Sequence, residues 1–137
     1  MKYLIDTNVI SEVRKRSRCH PAVRSWWSST SADEKFLSVL TICEIRKGIE
    51  NVRRRDVRSA VALEKWLVGI IEDHADRILV VDLDIAEECG RLNAAGPLPV
   101  IDSLIAATAK VHGLTLVTRK IPDMARTGVD ALNPWTA

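Results

Sequence analysis

No stretch of the sequence stays apolar over the roughly 18 residues that a membrane-spanning helix needs, because Lys, Asp or Glu interrupts each of the longer runs. That excludes an integral membrane helix and predicts a chain with no membrane partner. Cysteine is scarce. Cys19, Cys43 and Cys89 are an odd set with no CxxC spacing, so neither a disulfide scaffold nor a thiolate zinc site is expected. Free, mostly buried thiols fit a cytoplasmic location, and no hydrophobic leader precedes the first motif. His20, His74 and His112 lie far apart without an HxxxH spacing; surface or capping positions are expected for them rather than zinc or general-base roles. One Phe and one Tyr beside four Trp point to an aliphatic core. Trp26, Trp27, Trp66 and Trp135 then serve packing or a subunit interface rather than a base-stacking ladder. Nor does one sign of charge dominate: a formal net charge of +2 excludes a general nucleic-acid coat and leaves only local contacts.

What is present is a chain of 137 residues, 47% hydrophobic and 28% charged, with no repeat, low-complexity tract or linker. One domain spanning residues 1–137 is expected. Tyr3-Leu4-Ile5 reads as a buried strand closed by Asp6-Thr7-Asn8, followed by a short helix from Val9 to Val13 and another from Pro21 through Trp27. Phe36 to Leu40 is the next predicted strand. Thr41 is the expected N-cap of a helix that carries Ile42, Ile45 and Ile49, with Glu44 in its first turn. Val57 to Ile71 has helical spacing and is expected to form a hairpin with that helix. A strand at Ile78 to Val81, a helix capped by Asp82 or Asp84 and reaching Leu92, and a helix from Val100 carrying Asp102 come next. Leu114 to Val117 is a strand after the stop at His112-Gly113, and Val129 to Leu132 adds an edge strand. Strands alternating with helices imply an α/β fold with a parallel sheet between helical layers.

Asp6, Glu44 and Asp102 each follow or begin an element at the carboxyl ends of these strands, where ligand sites of open parallel sheets gather. Three convergent carboxylates repel one another unless a hard cation such as Mg2+ or Mn2+ joins them. Such a cation keeps several waters and suits phosphodiester hydrolysis by metal-activated water. Asp6 and Asp102 are the expected direct ligands, and Glu44 binds a water or a second cation. Asn8, Ser38 and Thr118 are placed to hold these carboxylates by hydrogen bonds. The basic runs Arg14 to Arg18 and Arg53 to Arg55 read first as solvated faces, with RNA or the acidic tail of a partner as competing readings. Cys43 reads as a small core hydrophobe and Glu12 as a surface residue.

Leu4-Ile5-Asp6-Thr7-Asn8-Val9-Ile10-Ser11-Glu12 resembles the opening motif of PIN-domain proteins, in particular VapC-type toxins. Leu37 to Ile45 around Glu44 is similar to the second acidic motif, Pro99 to Ala109 around Asp102 to the third, and Leu116-Val117-Thr118-Arg119 with Leu132-Asn133-Pro134-Trp135 to the closing segments. The ordered set covers nearly the whole chain. The resemblance implies a PIN-like three-layer α/β/α sandwich with a central, mainly parallel sheet. It also implies Mg2+-dependent endoribonuclease activity on an RNA substrate, homodimerisation and inhibition by a cognate VapB-type antitoxin. The competing reading is a catalytically weak PIN domain that serves as a protein-binding module in antitoxin-dependent repression.

One departure stands out. Many relatives have Asp or Asn after the Thr-Arg pair, where this chain has Lys120, and Asp123 follows. Asp123 either supplies the fourth catalytic carboxylate or caps the helix suggested by Met124 and Ala125. An ammonium at Lys120 disfavours a second cation and is suited to contact a substrate phosphate. A phosphohydrolase working through an aspartyl-phosphate needs a second Asp where Asn8 stands, which disfavours that chemistry, and a single-strand DNA nuclease is a further alternative.

Overall fold

The computed structural model describes all 137 residues. In chain order the elements are β1 (Tyr3–Ile5), α1 (Thr7–Val13), α2 (Pro21–Ser29), β2 (Lys35–Ser38), α3 (Val39–Arg53), α4 (Val57–Asp73), β3 (Ile78–Leu79), α5 (Leu83–Ala95), α6 (Val100–His112), β4 (Thr115–Val117), α7 (Ile121–Ala125) and β5 (Ala131–Leu132). The five strands form one sheet in the order β3-β2-β1-β4-β5, and every pairing is parallel. β1 is therefore central. Its register sets Leu4 opposite Phe36 on one side and Leu116 on the other.

Side chains that alternate along a strand point to opposite faces of the sheet. The buried core divides accordingly. Ile5, Leu37 and Val117 join Val9, Ile10, Val23, Ile45, Ile49 and Leu67 from α1 to α4 on one face. Leu4 and Leu116 join Ile105, Ala106, Ala109 and Met124 from α6 and α7 on the other, and α5 packs on α6. These two clusters make the α/β/α sandwich expected of the PIN fold. Gly113 closes α6 at φ 64° and donates its N–H to Ala109 and Lys110, a left-handed cap that glycine adopts without strain. No helix is long and apolar enough to cross a membrane.

The element bounds differ from expectation where a hydroxyl or exposure decides them. β2 ends at Ser38 rather than Leu40, because the Ser38 Oγ accepts the Leu40 N–H at 3.0 Å and starts α3 there. Thr41, the expected cap, is instead buried within the helix. Glu44 consequently lies in the second turn of α3, not the first. β3 stops at Leu79, leaving Val80 and Val81 exposed, and β5 is only Ala131–Leu132.

Candidate active site

The carboxyl end of β1 delivers Asp6 into the middle of the sheet edge. Its main-chain N–H donates to Val117 at 2.9 Å, which continues the β1–β4 ladder, and its side chain caps α1 by accepting the Thr7 N–H at Oδ1, 2.8 Å. Oδ2 accepts the Thr118 hydroxyl at 2.7 Å and Asn8 Nδ2 at 3.2 Å. With Asp6 only 3% exposed, these three donors fix the orientation of its carboxylate. Thr118 and Asn8 extend the unit. The Thr118 oxygen accepts the Lys120 N–H at 3.0 Å, and Asn8 Oδ1 accepts the Arg119 N–H at 3.3 Å. Both residues thus bond the Asp6 carboxylate.

Glu44 approaches from α3. Its Oε1 accepts the Thr7 hydroxyl at 2.5 Å, and that hydroxyl lies 3.4 Å from the Thr41 oxygen. Thr7 was not legible as a site residue. Its signal is its place between Asp6 and Asn8 at the first turn of α1, facing the helix that carries Glu44. Ser38, by contrast, touches no carboxylate, because its Oγ is committed to capping α3.

Asp102 sits in the first turn of α6, which has no side-chain cap of its own; a negative charge is favoured at that end of a helix. Its Oδ1 lies 3.2 Å from the Lys120 ammonium. Burial pulls the Lys120 pKa down, yet the hydrogen bond to Asp102 and the charges of Asp102, Asp6 and Glu44 together hold it above the ordinary lysine value. The three carboxylates are linked through neighbouring residues: Thr7 bonds both Asp6 and Glu44, and Thr118 and Lys120 connect Asp6 to Asp102. They are not drawn tightly together: no three acidic, histidine or cysteine side chains are gathered closely enough to enclose a cation. The donor set nevertheless fits a hard cation. Asp6 Oδ1, the second oxygen of Glu44 and the second oxygen of Asp102 keep open acceptor positions, and oxygen-only ligation is what Mg2+ and Mn2+ prefer.

Asp123 does not cap α7; the residue at the cap is Lys120, and Asp123 lies inside the helix. It lines a cavity of about 390 Å³ with Asp102, Leu98, Pro99, Pro122 and Arg126. A second cavity of about 230 Å³ runs from Thr7, Ser11 and Glu44 to Trp66, where the Arg14 guanidinium lies 5.9 Å from the ring centroid.

Two other expectations change, for Glu12 and Cys43. Glu12 is buried, not superficial, because Lys15 Nζ and the His20 N–H both donate to it at 2.9 Å. Cys43 is exposed, while Cys19 is buried and Cys89 half-buried. His74 ends α4 but is buried, its Nδ1 2.8 Å from the Ile70 carbonyl, whereas His20 caps α2 by accepting the Ala22 N–H. In the second basic run Arg53 is tied to Glu50 and Glu64, and Arg46 joins the same two carboxylates across α3 and α4. The aromatic rings pack: Tyr3 and Trp26 meet edge to face at 5.2 Å, and Arg119 lies over Trp135 at 4.8 Å.

Residues 3–121 match the PIN domain family. The chain belongs to the PIN domain family. Among curated PIN relatives it is 33% identical to the plasmid stability protein StbB of Pseudomonas syringae pv. tomato, over 98% of this chain and 99% of that protein. It is 31% identical to the VapC ribonuclease Y4jK of Sinorhizobium fredii, over 96% of each. The structure is similar to the crystal structure of FitAcB from Neisseria gonorrhoeae, with a TM-score of 0.90 and 30% identity, over 98% of this chain and 99% of that one.

Proposed function

We propose that residues 1–137 form a single PIN domain that hydrolyses RNA internally in the presence of Mg2+ or Mn2+, as the toxin of a VapB-type antitoxin pair. The observation that carries this reading is a chain of hydrogen bonds at the sheet edge: Thr7 bonds both Asp6 and Glu44, and Thr118 bonds Asp6 and the Lys120 N–H while the Lys120 ammonium pairs with Asp102. A relative named as a VapC ribonuclease supports it, as does likeness to a toxin named FitB. The partner antitoxin, a homodimer and a cytoplasmic location belong to the same proposal.

When bound, Mg2+ or Mn2+ supplies a Lewis acid for the phosphodiester and lowers the pKa of an attacking water. Asp6 and Asp102 would hold it directly. Thr118, Asn8 and the Thr7 N–H fix the first of these carboxylates, so little reorganisation accompanies binding. Thr7 aims Glu44, which orients water or a further cation, and Asp123 adds a carboxylate on the Asp102 side. Lys120 contacts a substrate phosphate.

The deciding experiment incubates antitoxin-free protein with a cellular RNA pool and Mg2+, with and without EDTA, beside the Asp6→Asn and Asp102→Asn variants. Discrete fragments lost on chelation and in both variants are expected. The Lys120–Asp102 ion pair favours a second reading, the catalytically weak module that binds protein and assists repression. Folded, metal-loaded protein that cleaves nothing establishes that reading instead.

A further inference from the structure

We infer that Lys120 is a tethered counter-cation of Asp102 that competes with a divalent cation for that carboxylate. The inference rests on the reading of Asp6, Glu44 and Asp102 as a cation site. Asp102 is 14% exposed, so its charge is largely withdrawn from water and calls for a partner. The Lys120 ammonium, at 3.2 Å, is the only cation paired with it.

The lysine is anchored where a competitor has to be. Its main-chain N–H donates to Thr118 Oγ1 at 3.0 Å, and that hydroxyl donates to Asp6 at 2.7 Å. The backbone of Lys120 therefore belongs to the same hydrogen-bonded unit as Asp6, and α7 begins at the next residue with Pro122 in its first turn. Only the side chain is left to move, and at 43% exposure it has solvent to move into. An ordinary surface ion pair contributes little and is replaced by water at small cost. This one differs because its carboxylate is also a proposed ligand, so a divalent ion has to displace a positive charge before it reaches Asp102. The tethered ammonium also offsets repulsion among the carboxylates.

Mn2+ titration calorimetry on the full chain tests this, with Lys120→Gln, Lys120→Arg, Asp102→Asn and the Lys120→Gln/Asp102→Asn double variant, and melting curves without metal. Lys120→Gln is expected to bind Mn2+ about ten-fold more tightly, since a unit positive charge within a few ångströms is removed. Its metal-free melting temperature is expected to fall and to recover with Mn2+. Lys120→Arg keeps the charge and is expected to behave like wild type, and Asp102→Asn to weaken Mn2+ binding in either background. Equal affinity in wild type and Lys120→Gln, with Asp102→Asn still weaker, overturns the competition and leaves the metal site standing. No Mn2+ binding by wild type or by Lys120→Gln overturns both.

Discussion

The hydroxyl of Thr118 reaches across 112 positions of sequence to donate to Asp6 at 2.7 Å, and Thr118 itself is wholly buried. This contact fastens the carboxyl end of β4 to that of β1 and leaves Asp6 aimed along the sheet edge. Thr118→Val keeps the shape and removes the donor from a buried charged acceptor. It is expected to cost about 1.5–3 kcal/mol in urea unfolding and to weaken Mn2+ binding, while Thr118→Ser keeps most of both. Unchanged unfolding in the valine variant refutes the assignment.

Thr7 plays the corresponding part for Glu44 at 2.5 Å. Thr7→Val is expected to lower the rate of RNA cleavage about ten-fold, equivalent to about 1.4 kcal/mol of transition-state stabilisation. Circular dichroism should remain that of wild type. Initial rates on the RNA fragment identified with wild type provide the check, with Thr7→Ser expected to restore activity.

Glu12 confers a pH dependence on stability that is independent of the site. The Lys15 ammonium foremost, and then the His20 N–H, hold its pKa below the ordinary glutamate value against burial, which pushes it up. A carboxylate whose folded pKa is depressed contributes its stability in full above the unfolded value, about 4.3, and loses it as pH falls through the lower folded pKa. Glu12→Gln is expected to cost about 1–3 kcal/mol near neutrality. Urea midpoints measured at falling pH are expected to show the gap to wild type closing below about pH 4.3.

The three thiols separate by accessibility. Burial pushes the Cys19 thiol pKa up and leaves the residue 5% exposed, whereas Cys43 is open to solvent. Reactivity follows thiolate content and access. Iodoacetamide on native protein is expected to modify Cys43 first and Cys19 only in denaturant, read by peptide mass. Labelling of Cys19 at the rate of Cys43 contradicts the packing of α2 on the sheet.

Local pattern exposed the strands, the helix order and the three spaced carboxylates, since short apolar runs and periodic spacing are local properties. Contacts made by distant chain are where it ran out. Val39 and Leu40 continue the apolar run of β2, so hydrophobicity could not reveal that the Ser38 hydroxyl turns the chain into α3. Charge alone put Glu12 on the surface, while the His20 N–H eight residues on draws it inside. Cys43 follows the apolar Ile42 in sequence, but about 100° of rotation per helical residue turns it away from the buried stripe of Thr41, Ile45 and Ile49. Asp6 and Asp102 were legible as candidates for the proposed site; the ion pair between Asp102 and Lys120 was not, because it depends on how α6 meets the β4–α7 connection.

The central position of β1 gives the order of synthesis a meaning. The earliest of the five strands in the sequence is flanked by β2 and by β4, and β4 is made only when Thr115–Val117 are reached. A chain interrupted before that point already carries Asp6, Glu44 and Asp102, yet lacks the neighbouring strand and the Thr118 hydroxyl that orient Asp6. Asp6 thus takes its orientation from chain made long after it.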